Sequence, residues 1–226
     1  MDDYLTEDEQ WERAKAFLVS NGPWIIGGVV IAVIGIAGWR WYGSHQDKLA
    51  LEAATKYEAV IQAFEKKDRT GGLAQAAQLK EQYPSSPYAD QADMLSARVY
   101  VESNELDKAA ERLKHVMESS NDSELALVAR LRLARVQLSQ GKANEALATL
   151  NKQDLGAFTA RFHEARGDVY FGKGDKQNAL REYEEARKNA GIQEFDTQLL
   201  DLKIKDLSGG TAASREPATA SAVESK

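Results

Sequence analysis

The stretch Gly141-Lys-Ala-Asn-Glu-Ala146-Leu-Ala-Thr-Leu150 decides the fold, because the chain carries two further versions of it. Asn104-Glu-Leu-Asp-Lys-Ala109-Ala-Glu-Arg-Leu113 lies 37 residues before it, and Gly174-Asp-Lys-Gln-Asn-Ala179-Leu-Arg-Glu-Tyr183 lies 33 residues after it. A self-similar period of about 34 residues is typical of tetratricopeptide-like repeats, in which each unit is a pair of helices. Three aligned units therefore predict an all-α helical solenoid.

Small residues recur where the two helices of each predicted pair approach each other. A short or missing side chain lets two helix backbones come close. A larger residue follows four positions later on the second helix, on the same face, and fills the space below. The predicted packing residues are Ala97, Ala134 and Gly167 on the first helices, Ala109, Ala146 and Ala179 on the second helices, and Leu113, Leu150 and Tyr183 one turn later.

Each helix pair needs a turn that reverses the chain. Gly141 and Gly174 supply it, because glycine tolerates the left-handed conformation that ends a helix, and Asn104 is the usual substitute. An earlier, degenerate pair is predicted over Asp47–Tyr83, with Asp68–Gly72 as its turn.

The C-terminal part of the chain predicts a closing helix over about Glu194–Leu207, since a helical stack needs a cap. The residues from Ser208 onward are mostly Gly, Ala, Ser and Thr, a composition that predicts disorder. The expected domains are a short acidic tail (1–22), a membrane helix (23–43), a tetratricopeptide-like repeat domain (44–207) and a disordered tail (208–226).

An uncharged run from Ala16 to Trp39 precedes the repeats and predicts a single transmembrane helix. The segment from Trp24 to Tyr42 would be about 28 Å long as a helix, close to the thickness of a bilayer's hydrocarbon core. Pro23 suits the first turn of such a helix, with Asn21 or Ser20 as its cap. Aromatic rings favour both membrane interfaces, and small residues permit contact with another helix. The predicted anchor residues are Trp24, Gly28, Ala32, Gly35, Trp39, Arg40 and Trp41.

A cleaved signal peptide is the main alternative for this run. Signal peptides begin with a basic region, whereas six acidic residues precede Arg13 here, which favours an uncleaved anchor. Charge leaves the orientation open, because Arg13 and Lys15 on one side nearly balance Arg40, Lys48 and Lys56 on the other, with a slight lean against a cytoplasmic N-terminus.

Stacked helix pairs present a concave face lined by the first helix of each repeat. A set of apolar residues with two arginines is expected there, and these could bind an extended peptide or a partner helix. The alternative is that some of them only pack against neighbouring helices. The predicted partner groove consists of Met94, Arg98, Val101, Leu131, Arg135, Leu138 and Phe171.

No catalytic pattern accompanies these features. The chain has no cysteine, and His45, His115 and His163 lack the spacing of metal ligands. No glycine-rich phosphate loop and no nucleophile–base pair is indicated. The formal charge of −6 and the lack of a basic cluster argue against nucleic acid as a partner. The sequence therefore predicts a protein-binding chain that is not an enzyme, without a cofactor, a metal or a small-molecule substrate.

The membrane exit and two repeat motifs carry a resemblance to a known family. An acidic N-terminal tail, the segment Gly38-Trp39-Arg40-Trp41-Tyr42 with the following Ser44-His45-Gln46, and Leu131-Arg-Leu-Ala-Arg135-Val resemble the YfgM family. Gly167-Asp168 and Lys173-Gly-Asp-Lys176 are similar to it as well. The resemblance covers about residues 1–207.

This resemblance implies an ancillary subunit of the SecYEG translocon in the bacterial inner membrane. It implies a single-pass protein with a cytoplasmic N-terminus and a periplasmic repeat domain. It further implies association with the membrane-anchored isomerase PpiD and with the periplasmic chaperone network.

Two functions remain as hypotheses. The first is a translocon accessory that acts, with PpiD and periplasmic chaperones, on newly translocated envelope proteins, including unfolded client proteins. The alternative is a structural scaffold in another cell-envelope complex, such as one for outer-membrane protein assembly, because Tyr83-Pro-Ser-Ser-Pro-Tyr-Ala89 is similar to a segment of repeat lipoproteins of that kind. Those lipoproteins carry a lipidated cysteine, which this chain lacks.

Overall fold

A computed structural model describes residues 7–191 and 197–213 of the chain. Within these ranges the structure is helical, without a β-strand, which confirms the predicted all-α class. The chain divides into two compact units, residues 1–52 and 53–226. The helices are α1 (Glu7–Glu65), α2 (Arg69–Gln82), α3 (Pro87–Glu102), α4 (Leu106–Ser119), α5 (Ser123–Ser139), α6 (Ala143–Leu150), α7 (Thr159–Gly172), α8 (Lys176–Lys188) and α9 (Thr197–Ala213), with a 3-10 turn at Gly156–Phe158.

The uncharged run lies within α1, and by length and composition this helix can cross a membrane. The large apolar side chains that are described in this run, such as Trp24, Ile31 and Trp39, are exposed, as a lipid-facing helix requires. The prediction that Pro23 starts a helix is wrong, because α1 continues through it. Ser20 and Asn21 donate side-chain hydrogen bonds to the carbonyl of Phe17 and do not act as caps. The helix is already established before the proline, so Pro23 removes one internal hydrogen bond without setting the boundary.

The second unit is a stack of four helix pairs followed by α9. The pairs are the C-terminal part of α1 with α2, α3 with α4, α5 with α6, and α7 with α8. Four clusters of buried apolar side chains run along this stack. The structure buries all nine residues that the repeat pattern assigns to helix packing.

The three aligned turns share one backbone geometry. Asn104, Gly141 and Gly174 have φ of 58°, 77° and 79°, as the left-handed prediction requires. In each turn the following residue donates its backbone N–H to a carbonyl five positions earlier, at 2.8 to 2.9 Å. This is the Schellman pattern, which satisfies carbonyl groups at the end of a helix. The same closure therefore sets the return of the second helix in each unit.

The first repeat contradicts the predicted turn at Asp68–Gly72. Its left-handed residue is Lys67, with φ of 60°, and Asp68 donates its backbone N–H to the Ala63 carbonyl at 2.9 Å. Asp68 then caps α2 by accepting a hydrogen bond from the Gly71 N–H. Gly72 lies inside α2, where an added Cβ would come within 2.4 Å of the Phe64 ring. The glycine serves close packing, and the first repeat is in register with the second at a spacing of 37 residues.

Helix α9 closes the stack, as predicted, although it extends to Ala213 and not only to Leu207. Leu200 and Leu207 are buried in one cluster with Ala179, Tyr183 and Ala186 of α8. The predicted start of this helix at 194–196 and the predicted disordered tail after Ala213 lie outside the described residues.

One polar contact recurs between the two helices of three repeats. Its members are 19 residues apart and occupy equivalent positions in the repeat register. The contacts join Asp93 Oδ1 to Arg112 Nη1 at 3.1 Å, Arg130 Nη1 to the Thr149 carbonyl at 2.8 Å, and His163 Nδ1 to Glu182 Oε2 at 2.8 Å. Each of these three repeats thus combines a close apolar contact with a polar one that fixes the alignment of its helices.

We predict that Gly167→Ala destabilises the repeat domain. An added Cβ would lie 2.4 Å from the buried Tyr183 ring, so the ring or the helix must shift. Overpacking costs about 1–3 kcal/mol and outweighs the gain of up to about 1 kcal/mol in helix propensity. Urea unfolding of the full chain in detergent, followed by far-ultraviolet circular dichroism, measures the change. Gly43→Ala is the control, because its Cβ would have no neighbour within 4 Å; equal midpoints for both variants would contradict the prediction.

We predict a larger loss for Asp93→Ala. The carboxylate is 2% exposed and lies 3.0 Å from Lys80 Nζ and 3.1 Å from Arg112 Nη1. Its removal leaves two partly buried cations without their counter-charge, which costs about 2–4 kcal/mol. The same urea titration tests this. Asp107→Ala is the matched control, because that carboxylate is almost fully exposed; a similar loss in both variants would refute a special role of the buried charge.

Candidate partner-binding groove

Two cavities open between the first helices of consecutive repeats. The first, of about 530 Å³, lies between α1 and α3. The second, of about 370 Å³, lies between α3 and α5. Arg98 and Glu102 line both cavities, so the two form one surface, which we call the groove.

The structure brings together four of the seven predicted groove residues. Met94, Arg98, Val101 and Arg135 all line the second cavity. Their positions follow from the repeat: the turn geometry orients each first helix in the same way, so residues at equivalent positions face the same side of the stack.

The other three predicted residues lie elsewhere. Leu131 belongs to the core between α5 and α7 and, unlike Met94, lines neither cavity. Leu138 packs against that core, and a Cβ added to Gly172 would come within 3.0 Å of its side chain. The bare backbone at Gly172 thus lets α7 close against α5. Phe171 is half-exposed and lines a small cavity of about 140 Å³ beside α9.

Lys203 of α9 fills the seam between α7 and α9. Its Nζ lies 2.8 Å from Glu164 Oε1 and 2.7 Å from Asp168 Oδ1, and it also sits over the Tyr183 ring. The Tyr183 hydroxyl donates to Asp168 at 2.8 Å. Burial, and then the Asp168 charge, raise the pKa of Tyr183. Burial lowers the pKa of Lys203, but the bonds to Asp168 and Glu164 outweigh it and leave a raised value.

The repeat alignment explains the groove residues that the prediction missed. Tyr57, Ile61 and Phe64 line the first cavity and stand 37 residues before Met94, Arg98 and Val101. The signal was present in the sequence, but a turn placed at Asp68–Gly72 puts the first repeat out of register. Arg132 was also missed, although it lines the second cavity beside Arg135.

The groove combines apolar walls with basic charge. Lys67, Arg69, Arg98, Arg132 and Arg135 line it, against Glu65 and Glu102 as its acidic residues. This basic excess stands out in a chain with a formal charge of −6. The arrangement can hold an apolar polypeptide segment and favours one with negative charge.

The histidines have partners that sequence spacing did not reveal. His163 lies beside Glu182 and Arg166, and His115 Nδ1 lies 3.3 Å from Asp93 Oδ2. These partners come from the neighbouring helix or the same helix and form ion-pair clusters of the repeat packing. In the described residues no three histidine, aspartate or glutamate side chains are grouped as a metal site would require.

Comparison with known proteins covers almost the whole chain. Residues 15–209 match the family model described as a tetratricopeptide repeat-like domain. A protein of Aggregatibacter actinomycetemcomitans named "Ancillary SecYEG translocon subunit" is 33% identical over 90% of this chain and 99% of its own length. A protein of Escherichia coli (strain K12) with the same name is 31% identical over 92% of this chain and 100% of its own.

The fold comparison agrees with the family match. The crystal structure of a tetratricopeptide repeat protein from Parabacteroides merdae ATCC 43184 has a TM-score of 0.53 at 13% identity, covering 71% of this chain and 63% of that one. The match of membrane helix and repeats together, over nearly full length, shows that the chain belongs to the YfgM family of ancillary SecYEG translocon subunits, which the sequence motifs resemble.

Proposed function

We propose that this protein is a membrane-anchored, protein-binding accessory of the SecYEG translocon. It acts with PpiD and periplasmic chaperones on newly translocated envelope proteins. The observation that carries the proposal is the near full-length match to relatives named for the translocon. A groove with apolar walls supplies the contact surface, which is what a non-enzymatic accessory needs.

The anchor confines the repeat domain to the membrane surface. The segment 23–43 spans the bilayer, with Trp24 at one interface and Trp39, Trp41 and Arg40 at the other. Confinement raises the local concentration of the groove near emerging chains without any further contact. A Cβ on Gly28 or Gly35 meets nothing within 4 Å, so this face of α1 is open to a helix of the translocon.

The groove is suited to segments that are not yet folded. Its two cavities together offer aromatic and aliphatic walls, from Tyr57, Ile61 and Phe64 to Met94 and Val101. Apolar surface of this kind favours extended or helical segments whose own partners are still missing. Binding such segments at the membrane would keep them from aggregating and pass them to chaperones.

The motif behind the scaffold alternative has a local structural explanation. Ser86 caps α3 by accepting a hydrogen bond from the Tyr88 N–H, and Pro87 is the first residue of that helix. Proline at this position and serine at the cap are favoured at any helix start. The segment Tyr83–Ala89 is therefore a connection between repeats and does not favour an outer-membrane assembly complex.

Site-specific photo-crosslinking in cells tests the proposal. A photoreactive side chain at Ile61 or Val101 is expected to capture SecYEG subunits, PpiD or newly translocated envelope proteins, because both positions line the groove. Lys114, exposed on α4, is the control position and should give none of these products. The same products from Lys114, or products from none of the three positions, would contradict the groove as the contact surface.

The orientation is tested by labelling single cysteines, since the chain has none of its own. We propose a cytoplasmic N-terminus and a periplasmic repeat domain. A maleimide that does not cross the inner membrane should label Lys114→Cys in intact cells and Asp8→Cys only after that membrane is opened. The reverse pattern would place the repeat domain in the cytoplasm and exclude a role on the periplasmic side.

A further inference from the structure

We call the boundary between the first helices of two neighbouring repeats a seam, and the boundary between α7 and α9 the last seam. The seam between α3 and α5 holds arginines at the positions where the last seam holds an ion pair. In the repeat register, Arg98 of α3 corresponds to Asp168 of α7. Arg132 of α5 corresponds in the same way to Lys203 of α9. The cavities show the same match, because α5 contributes Arg132, Arg135 and Val136 to one and α9 contributes Lys203, Asp206 and Leu207 to the other.

Opposite charges fill the last seam, and like charges leave the α3–α5 seam open. Asp168 and Lys203 are 2.7 Å apart, and the cavity beside them is only about 140 Å³. At the equivalent place Arg98 and Arg132 line a cavity of about 370 Å³. Because Arg98 and Arg132 carry like charges, they cannot pair with each other to close the seam as Asp168 and Lys203 do.

The acidic charge available within the α3–α5 seam is already used. Glu102 is its one acidic lining residue, and it pairs with Arg98 at 2.8 Å. Both side chains of that pair are mostly exposed, so the pair stays open to solvent. Among residues 7–191 and 197–213, the side chains of Arg132 and Arg135 have neither a hydrogen bond nor an ion pair.

The rest of the seam is apolar. Met94, Ala97, Val101, Leu113 and Val136 form its floor and walls. A carboxylate of a bound segment that enters here meets guanidinium groups at the rim. The apolar residues that flank it in the bound segment contact the floor of the seam. Arginine suits this task, because its planar fork of N–H donors matches a carboxylate.

We propose that the α3–α5 seam recognises an acidic side chain flanked by apolar residues in a bound polypeptide segment, with Arg132 and Arg135 as its carboxylate-binding residues. The inference rests on the proposed function and names the chemistry of the segment. The chain supplies an internal precedent, since Lys203 fills the acidic seam of the fourth repeat with the complementary charge.

Fluorescence anisotropy with the full chain in detergent tests the inference. The probes are three labelled peptides with the same apolar residues and a central Glu, Gln or Lys, with both ends blocked to remove terminal charges. The Glu peptide is expected to bind about tenfold more tightly than the Lys peptide at low salt. The preference should shrink as salt is raised, because both arginines are exposed and screened.

Charge reversal assigns the preference to the two residues. In Arg132→Glu with Arg135→Glu the Lys peptide should bind more tightly than the Glu peptide. Arg161→Glu is the matched control, because Arg161 is exposed on α7 outside the groove, and the Glu preference should persist. Equal thermal midpoints of the three proteins, measured by circular dichroism, show that the fold is unaffected.

Several results would overturn the inference. Equal affinities for the three peptides, or an unchanged preference in the double variant, remove the role of the arginines but leave the proposed function intact if Val101 still crosslinks. A Gln peptide with a free C-terminal carboxylate that matches the Glu peptide would assign the seam to chain ends instead. No binding of any peptide, together with no crosslinks from Val101, would reject the inference and the proposed function together.

Discussion

Each repeat depends on the close approach of its two helices at one pair of small residues. At Gly167 this approach is so close that the Tyr183 ring occupies the space a Cβ would need. The left-handed turn, at Asn104 or Gly141 for example, sets how the second helix returns to make that contact. Because both features recur in one register, every other position recurs with them, including the polar contact between residues 19 apart. The groove is a consequence of this register, since equivalent residues of successive first helices face the same side.

Most of this fold could be predicted from the sequence, because the small residues and the turn residues are adjacent in the chain and repeat three times. The first repeat is instructive where prediction was wrong. Gly71 and Gly72 indicated a turn, but Lys67 adopts the left-handed conformation and Gly72 makes room for Phe64. A glycine that permits a turn and one that permits close packing look alike in a sequence. The misplaced turn shifted the register, and Tyr57 and its neighbours were therefore missed.

The candidate site was less predictable than the fold, because whether a seam is open depends on the side chains of both helices that form it. Val101 and Leu138 occupy equivalent positions, and both were expected on the concave surface. Val101 remains exposed, whereas Leu138 packs where α7 presents Gly172. Repeat position thus indicates the side on which a residue lies, but the partner helix decides whether that side is open. The effect of Pro23 likewise depends on its structural context, because α1 is already formed before this residue.

The open seam is compatible with a stable stack because the floor of the seam belongs to the buried cluster that holds the repeats together. Helix α4 joins α3 and α5 through a buried cluster that includes Leu113, Val116 and Leu133. These contacts hold the two first helices together from behind, so their front edges need not touch. Arg98 and Arg132 can therefore face one another across a cavity without separating the repeats. At the fourth repeat, the front edges of α7 and α9 are joined by the ion pair of Asp168 and Lys203, and α9 ends the stack there. Between these two seams, the sign of the charges on the front edge distinguishes the one left open to a partner from the one that is closed.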